Sequence, residues 1–129
     1  MTNNPFQHVD LRVRDKGAAL AFYARFLPAL GFTRDDSGET WQVFTAPGKP
    51  PAEAWFAFIE DPEHRPNANR IAFHAASPAE VDRLARIARE AGAQNMSGPR
   101  ACPEYTPSYY AAFFEDPSGN CLEICYVAE

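Results

Sequence analysis

Residues 8–15 read HVDLRVRD, and the same pattern returns 62 positions later in residues 70–77, which read RIAFHAAS. Apolar and polar side chains alternate along the first stretch, which predicts a strand with one buried face, and we assign a strand to Arg70–Ala76 as well. Each stretch ends in a residue that caps helices, Asp15 in the first and Ser77 in the second. Apolar residues then recur at helical spacing. The chain therefore contains two copies of a unit that begins with a strand and a helix.

Each predicted helix ends near a glycine, Gly31 or Gly92, and Pro28 predicts a broken last turn in the first helix. Further strands follow in each copy, and a long loop is expected over residues 97–108. The expected strands are Phe32–Arg34, Thr40–Thr45 and Ala54–Glu60 in the first copy, and Gln94–Met96, Tyr109–Glu115 and Cys121–Val127 in the second. This order predicts an α+β fold, in which two βαβββ modules form one curved mixed sheet with the helices outside. Module one covers residues 6–60 and module two residues 70–127 of a single domain, 1–129.

Composition excludes several classes of function. The chain has 129 residues, of which 46% are hydrophobic and 22% charged, as is typical of a globular domain. A net charge of −5 without a basic stripe argues against nucleic acid as a partner. No apolar run is long enough to cross a membrane, and the N-terminus lacks the apolar core of a secretion signal. Three cysteines, an odd number, indicate reduced thiols, so we expect a cytoplasmic protein.

Several stretches resemble one known superfamily. Residues 8–15, followed by AFY at 21–23 and LGF at 30–32, resemble the opening of the vicinal oxygen chelate superfamily, the group of glyoxalase I, bleomycin-resistance proteins and extradiol dioxygenases. Its second module and closing hairpin are matched by RIAF at 70–73 and FFEDPSGNCLEI at 113–124. Residues 105–113 resemble a subgroup of small glyoxalase-like proteins. The resemblance implies this fold and a homodimer, but no single reaction, because the scaffold hosts many chemistries.

The resemblance also implies a metal site with one ligand from the first and one from the last strand of each module. His8 takes the first-strand position of module one, and Glu123 the last-strand position of module two. Arg70 stands where module two should offer a ligand, and a guanidinium carries only donors. The fourth position falls within Trp55–Asp61, where only Glu60 or Asp61 can ligate, and the register stays open. We therefore expect no cofactor, and a divalent metal is the alternative.

Glu123 is also a candidate on chemical grounds, as a catalytic residue. It shares one strand face with Cys121 and Cys125, and a carboxylate on so apolar a face needs a partner. That partner is a substrate or Arg70. Arg70 is in turn either a structural partner of Glu123 or an anchor for a substrate carboxylate.

The other candidates are a histidine and three aromatic residues. His74 is either a catalytic base or a hydrogen-bonded core residue. Trp55, Tyr105 and Tyr110 are candidate substrate-binding residues of a pocket that accepts aromatic ligands. Strand alternation sends Tyr109 and Tyr110 to opposite faces, so part of this aromatic cluster belongs to the core.

Two functions follow from these residues. The first is a superfamily member whose cleft binds a small organic ligand, aromatic or carbonyl-bearing, without an intact metal site. The alternative is a divalent-metal-dependent lyase similar to lactoylglutathione lyase, or a dioxygenase, in which Glu123 moves a proton. The sequence leaves open whether the protein is an enzyme. Arg70 favours the first function, because it occupies a ligand position.

Overall fold

The computed structural model describes residues 4–49 and 53–128 and divides the chain into two compact units, Met1–His64 and Arg65–Glu129. Each unit follows the order strand, helix, three strands, so the predicted α+β fold of two βαβββ modules is confirmed. The first unit contains β1 (His8–Val13), α1 (Lys16–Ala29), β2 (Arg34–Asp35), β3 (Trp41–Ala46) and β4 (Ala54–Glu60). The second contains β5 (Arg70–His74), α2 (Pro78–Ala91), β6 (Gln94–Ala101), β7 (Tyr110–Glu115) and β8 (Cys121–Tyr126).

The sequence analysis expected one mixed sheet, whereas the hydrogen bonds form two mixed sheets of four strands, one in each unit. Their strand orders are β1-β4-β3-β2 and β5-β8-β7-β6. The reason is that the first strand of each unit pairs in parallel with the last strand of the same unit. The other neighbours are antiparallel. Residues from the start and end of a module therefore lie side by side on one sheet face.

Each helix covers one face of its own sheet. Helix α1 buries five residues. Helix α2 buries four, and its other residues are half-buried or exposed. The buried residues are Ala19, Phe22, Tyr23, Phe26 and Leu27 in α1, and Val81, Leu84, Ala85 and Ala88 in α2. On β8 the fully buried Leu122 and Ile124 alternate with Glu123, so Glu123 lies on the other face of that strand. Within the described residues, neither helix is long and apolar enough to span a membrane.

Local contacts explain where the helices begin and end. The side chains of Asp15 and Ser77 accept the backbone N–H groups of Ala18 and Glu80 at 3.0 and 3.1 Å, as predicted for N-caps. Gly92 ends α2 at a φ of 115°, in the left-handed region that glycine adopts readily. Pro28 does not break α1, which continues to Ala29 and closes with a bond from the Leu30 N–H to the Leu27 carbonyl.

We expect Ser77→Ala to lower the free energy of unfolding by about 1 kcal/mol, because the first turn of α2 loses its cap. Asp15→Ala is the matched variant on α1 and should cost a similar amount. Urea unfolding followed by circular dichroism measures both. A Ser77→Ala protein as stable as the wild type would show that the cap does not stabilise α2.

Strand β6 is the main departure from the predicted elements. It covers Gln94–Ala101, where the sequence predicted a short extended piece followed by a loop from Ser97. The pairing with β7 shifts register twice, and Gly98 adopts a φ of 89° beside the carbonyl of Ala111. These bulges break the alternation that sequence analysis relies on, although an edge strand tolerates them. Smaller differences are that β2 is Arg34–Asp35 and that β5 ends at His74.

Candidate functional site

Glu123 is the buried carboxylate of the second unit and lies at the centre of its sheet. Its side chain is only 6% exposed. Parallel pairing places it opposite Ala72 of β5, and antiparallel pairing places it opposite Phe113 of β7. Because the α2 side of β8 is occupied by apolar residues, Glu123 belongs to the face that α2 leaves uncovered. We call this surface, built around Glu123, Phe113 and Arg70, the Glu123 face.

Tyr109 supplies the shortest contact to Glu123. Its hydroxyl donates a hydrogen bond to Oε2 of the carboxylate. Burial, together with hydrogen bonds to Glu123 and Cys125, raises the pKa of Tyr109 well above its usual value. The phenol therefore stays protonated at neutral pH and remains a donor. One oxygen of Glu123 is thus fixed in place by a neutral partner.

The other oxygen of Glu123 has a longer contact. Nη1 of Arg70 lies 3.9 Å from Oε1, and the Arg70 side chain is 44% exposed. The ion pair considered in the sequence analysis is therefore present, but at the long limit for such pairs. The Arg70 guanidinium carbon also lies 5.0 Å from the ring centroid of Phe113, a cation–π contact.

A second arginine reaches the same ring from the opposite edge of the sheet. Arg100 of β6 places its guanidinium carbon 5.2 Å from the Phe113 centroid. Its Nη1 also contacts Sγ of Cys102 at 3.2 Å and Oε2 of Glu104 at 3.5 Å. Phe113 is thus shared by two guanidinium groups, one from each edge strand.

The remaining candidates of the second unit lie in three different places. Tyr105 is exposed and packs edge-to-face on Tyr109, with 5.0 Å between ring centroids. Tyr110 donates to Asp82 of α2 at 2.7 Å, a bond that raises the pKa of Tyr110, so it lies on the helix-covered face of β7. His74 is exposed at the end of β5, on the same strand face as Arg70. The structure therefore brings Tyr105, but not Tyr110, next to the Glu123 face.

In the first unit His8 and Trp55 are stacked. Their ring centroids are 4.7 Å apart and their planes differ by 13°, as expected for directly paired residues of β1 and β4. His8 Nδ1 also shares a hydrogen bond with Oε1 of Gln7. Trp55 forms one wall of an open pocket of about 310 Å³. The pocket is lined by Arg34, Asp36, Val43, Thr45, Glu53 and Trp55.

Strand register answers the question of the fourth ligand position. His8 is paired with Trp55, and its counterpart Arg70 is paired with Cys121. Glu123 lies two residues after Cys121, so its counterpart lies two residues after Trp55, which is Ala57. An alanine side chain offers no ligand atom.

The two acidic residues considered for that position have other roles. Glu60 accepts the backbone N–H of Lys16 at 2.8 Å, at the start of α1. Asp61 accepts the N–H of Glu63 at 3.0 Å in the following turn. With arginine and alanine at two of the four positions, the residues present do not fit the metal site that the resemblance implies.

Sequence reasoning missed two residues of the Glu123 face. The sequence analysis places Tyr109 in the aromatic cluster but does not pair it with Glu123. Tyr109 lies four residues before Phe113, so strand alternation puts both on the face that carries Glu123. Arg100 lies in a segment predicted as loop, so its face was not predictable.

Comparisons with known proteins agree with this architecture. The chain is similar to a solved glyoxalase/bleomycin resistance protein from Albidiferax ferrireducens T118, with 22% identity, a TM-score of 0.76, and coverage of 96% of this chain and 100% of that one. A putative glyoxalase from Bacillus halodurans is 27% identical, with a TM-score of 0.74 and coverage of 95% and 96%. The fosfomycin resistance protein FosX from Listeria monocytogenes is 19% identical, with a TM-score of 0.71 and coverage of 98% and 96%.

No curated protein matches the sequence significantly. A family model does match, over residues 6–124, and it describes the Glyoxalase/Bleomycin resistance protein/Dioxygenase superfamily. This match covers nearly all of both βαβββ units. The chain therefore belongs to the Glyoxalase/Bleomycin resistance protein/Dioxygenase superfamily.

Proposed function

We propose that the protein binds a small organic ligand on the Glu123 face, without a metal ion at the family-type position. The observation that carries this proposal is the environment of Glu123. Among the residues that the structure describes, one carboxylate oxygen is held by Tyr109, whereas the other has only a 3.9 Å contact with Arg70. A buried carboxylate usually has hydrogen-bond or ion-pair partners at shorter distances, because desolvation of its charge is costly. A ligand N–H or O–H group would supply the missing donor.

The same arrangement defines what the site can do chemically. Oε1 of Glu123 is the atom available to accept a hydrogen bond, or a proton, from a bound ligand. Arg70 lies next to that oxygen and would stabilise negative charge that develops on the ligand. His74 is exposed, so its surroundings give no reason to assign it a role in proton transfer. Glu123 is therefore our candidate for the catalytic residue, and Arg70 for a substrate-binding one.

The names of structurally similar proteins support a small-molecule ligand. They include a glyoxalase/bleomycin resistance protein and a fosfomycin resistance protein, names that refer to small organic compounds. We also propose that Trp55 and the pocket beside it bind a ligand within the first unit.

A fragment screen by two-dimensional NMR tests the proposed ligand site. We expect small aromatic and carbonyl compounds to shift the backbone amides of Ala72, Phe113 and Glu123, and Glu123→Gln to weaken binding of compounds with a donor group. Asp82→Asn is the matched control, because Asp82 lies on the helix side of the same sheet. If no fragment shifts these amides, or Glu123→Gln and Asp82→Asn behave alike, the proposal is wrong.

Metal content tests the proposal that no metal ion binds at the family-type position. We expect the purified protein to carry substoichiometric nickel, zinc, iron and manganese, because arginine and alanine replace two ligands. Calorimetric titration should likewise show only weak binding of nickel and zinc. Tight binding of one ion per chain would contradict this result and would favour the metal-dependent lyase or dioxygenase.

We also propose that the protein is a homodimer, as the resemblance implies, and that it is cytoplasmic, because an odd number of cysteines indicates reduced thiols. Light scattering at micromolar concentration should then give twice the 14.3 kDa mass of the chain. A monomer at that concentration would contradict the dimer.

A further inference from the structure

We infer that the Glu123 face selects planar organic carboxylates, with Arg70 and Arg100 as the residues that bind the anion beside Phe113. This inference rests on the proposed function, because it names the class of ligand for the same site. It adds a residue, Arg100, and a charge preference that the ligand-binding proposal does not require.

The first argument is the convergence of two cations on one ring. Arg70 lies on β5 and Arg100 on β6, the two edge strands of the sheet. Their guanidinium carbons nevertheless lie 5.0 and 5.2 Å from the centroid of Phe113, on the central strand β7. Guanidinium groups stack well on aromatic faces, which explains how each is held. An anion bound beside Phe113 would therefore lie close to positive charge from both edge strands.

The second argument is that neither guanidinium has a close anionic partner within residues 4–49 and 53–128. The nearest carboxylate oxygens are 3.9 Å from Arg70 and 3.5 Å from Arg100. Charge-assisted hydrogen bonds are usually about 2.7–2.9 Å long. By contrast, Arg83 on the surface of α2 binds both oxygens of Glu80 through two nitrogens. Apart from the contacts of Arg100 Nη1 with Cys102 and Glu104, the described residues leave donor groups of Arg70 and Arg100 for a ligand that accepts two parallel bonds, as a carboxylate does.

The competing carboxylates limit where that anion binds. Glu104 is an exposed partner of Arg100, and surface pairs of this kind contribute little, so it can be displaced at small cost. Glu123 is buried and fixed by Tyr109, so it repels an anion placed against it. The ligand carboxylate is therefore expected beside Phe113 and away from Glu123, which leaves Oε1 of Glu123 for a donor group of the ligand.

The third argument is the apolar surface around the ring. Phe113 and Tyr109 pack on a buried cluster of Cys102, Ala111 and Cys125. Tyr105 extends the aromatic surface from Tyr109. A planar apolar body would contact these rings while its carboxylate reaches the guanidinium groups. An aromatic or conjugated acid has this shape.

Benzoate and benzamide form a suitable pair of probes, because they differ in charge and scarcely in shape. We expect the full chain to bind benzoate about tenfold more tightly than benzamide, measured from the amide shifts of Phe113 and Glu123. Arg70→Gln and Arg100→Gln should each weaken benzoate binding about fivefold to tenfold and leave benzamide unchanged. Arg70→Lys keeps the positive charge but loses the planar guanidinium that forms two parallel bonds. Its affinity for benzoate should therefore lie between those of the wild type and Arg70→Gln.

Arg83→Gln is the matched control, because Arg83 is as exposed as Arg70 but lies on α2. It should leave the binding of both probes unchanged. Phenylphosphonate, a different anion, should bind no more tightly than benzoate, and tighter binding would overturn the assignment to carboxylates.

Equal affinity for benzoate and benzamide would overturn the inference and leave the ligand site itself standing. The same holds if benzoate is preferred but neither arginine variant weakens it. Failure of both probes and of every screened fragment to shift the Glu123 face would overturn the proposed function as well.

Discussion

The substitution Asp116→Ala is expected to lower the free energy of unfolding by about 3–5 kcal/mol, because one buried donor and two half-buried donors lose their acceptor. Asp116 is fully buried in the turn between β7 and β8. Its carboxylate accepts the backbone N–H groups of Ser118 and Asn120 at 2.8 and 3.0 Å. The side-chain amide of Asn120 adds a third bond at 2.9 Å. Alanine can replace none of them.

Urea unfolding of the wild type and of Asp116→Ala measures this effect. Asp116→Asn keeps one acceptor oxygen and should lose less stability, whereas the exposed Asp82→Ala should change it little. If Asp116→Ala cost no more than Asp82→Ala, the turn would not depend on this carboxylate. The turn sets the register that places Phe113 opposite Glu123, so we also expect weaker ligand binding in Asp116→Ala.

Tyr109→Phe should lower the free energy of unfolding by about 1.5–3 kcal/mol, the range for a hydrogen bond to a charged group. The variant removes only the hydroxyl and keeps the ring that packs on Tyr105. In the described part of the chain, the side chain of Glu123 would then keep a polar contact with Arg70 alone, at 3.9 Å. Tyr110→Phe is the control, because it removes a hydroxyl that bonds the exposed side of α2.

The stability difference between wild type and Tyr109→Phe should also depend on pH. The folded protein raises the pKa of Tyr109 through burial and the bond to Glu123, so folding favours the protonated phenol. The stabilisation is complete below the unfolded pKa of about 10, and it is lost as pH rises above that value. Unfolding titrations at pH values from 8 to 11 measure it. A difference that stays constant over this range would contradict the proposed role of Tyr109.

Much of the fold was predictable from local patterns. Alternation over residues 8–14 and the caps Asp15 and Ser77 placed the first strands and both helices, because those signals act within a few residues. Strand β6 was not predictable in full. Gly98 and its neighbouring proline interrupt the pattern, and the strand forms because β7 offers a partner despite two register shifts. Such pairing depends on contacts distant in sequence.

In the candidate site, too, local patterns were predictable and contacts between distant residues were not. Glu123 was identified because a carboxylate within an apolar strand is costly to bury. Arg70 was identified through the repeat, as the counterpart of His8. Tyr109 and Ala57 required the registers of β7 on β8 and of β4 on β1, which no single strand sequence encodes. Glu123 and Arg70 could therefore be singled out as candidates from the sequence, whereas Tyr109, Arg100 and the contacts between these residues could not.

The pairing of the first strand of each unit with its last strand has a consequence for how the chain folds. During synthesis, β1 leaves the ribosome well before β4, and β5 well before β8. Each first strand therefore stays unpaired on that edge until the last strand of its unit has been made. Closing such long loops costs entropy before any contact compensates for it, which slows folding. The first unit can complete its sheet while the second is still being made. Until β8 emerges, the exposed edge of β5 and its apolar residues are open to binding by chaperones or by other nascent chains.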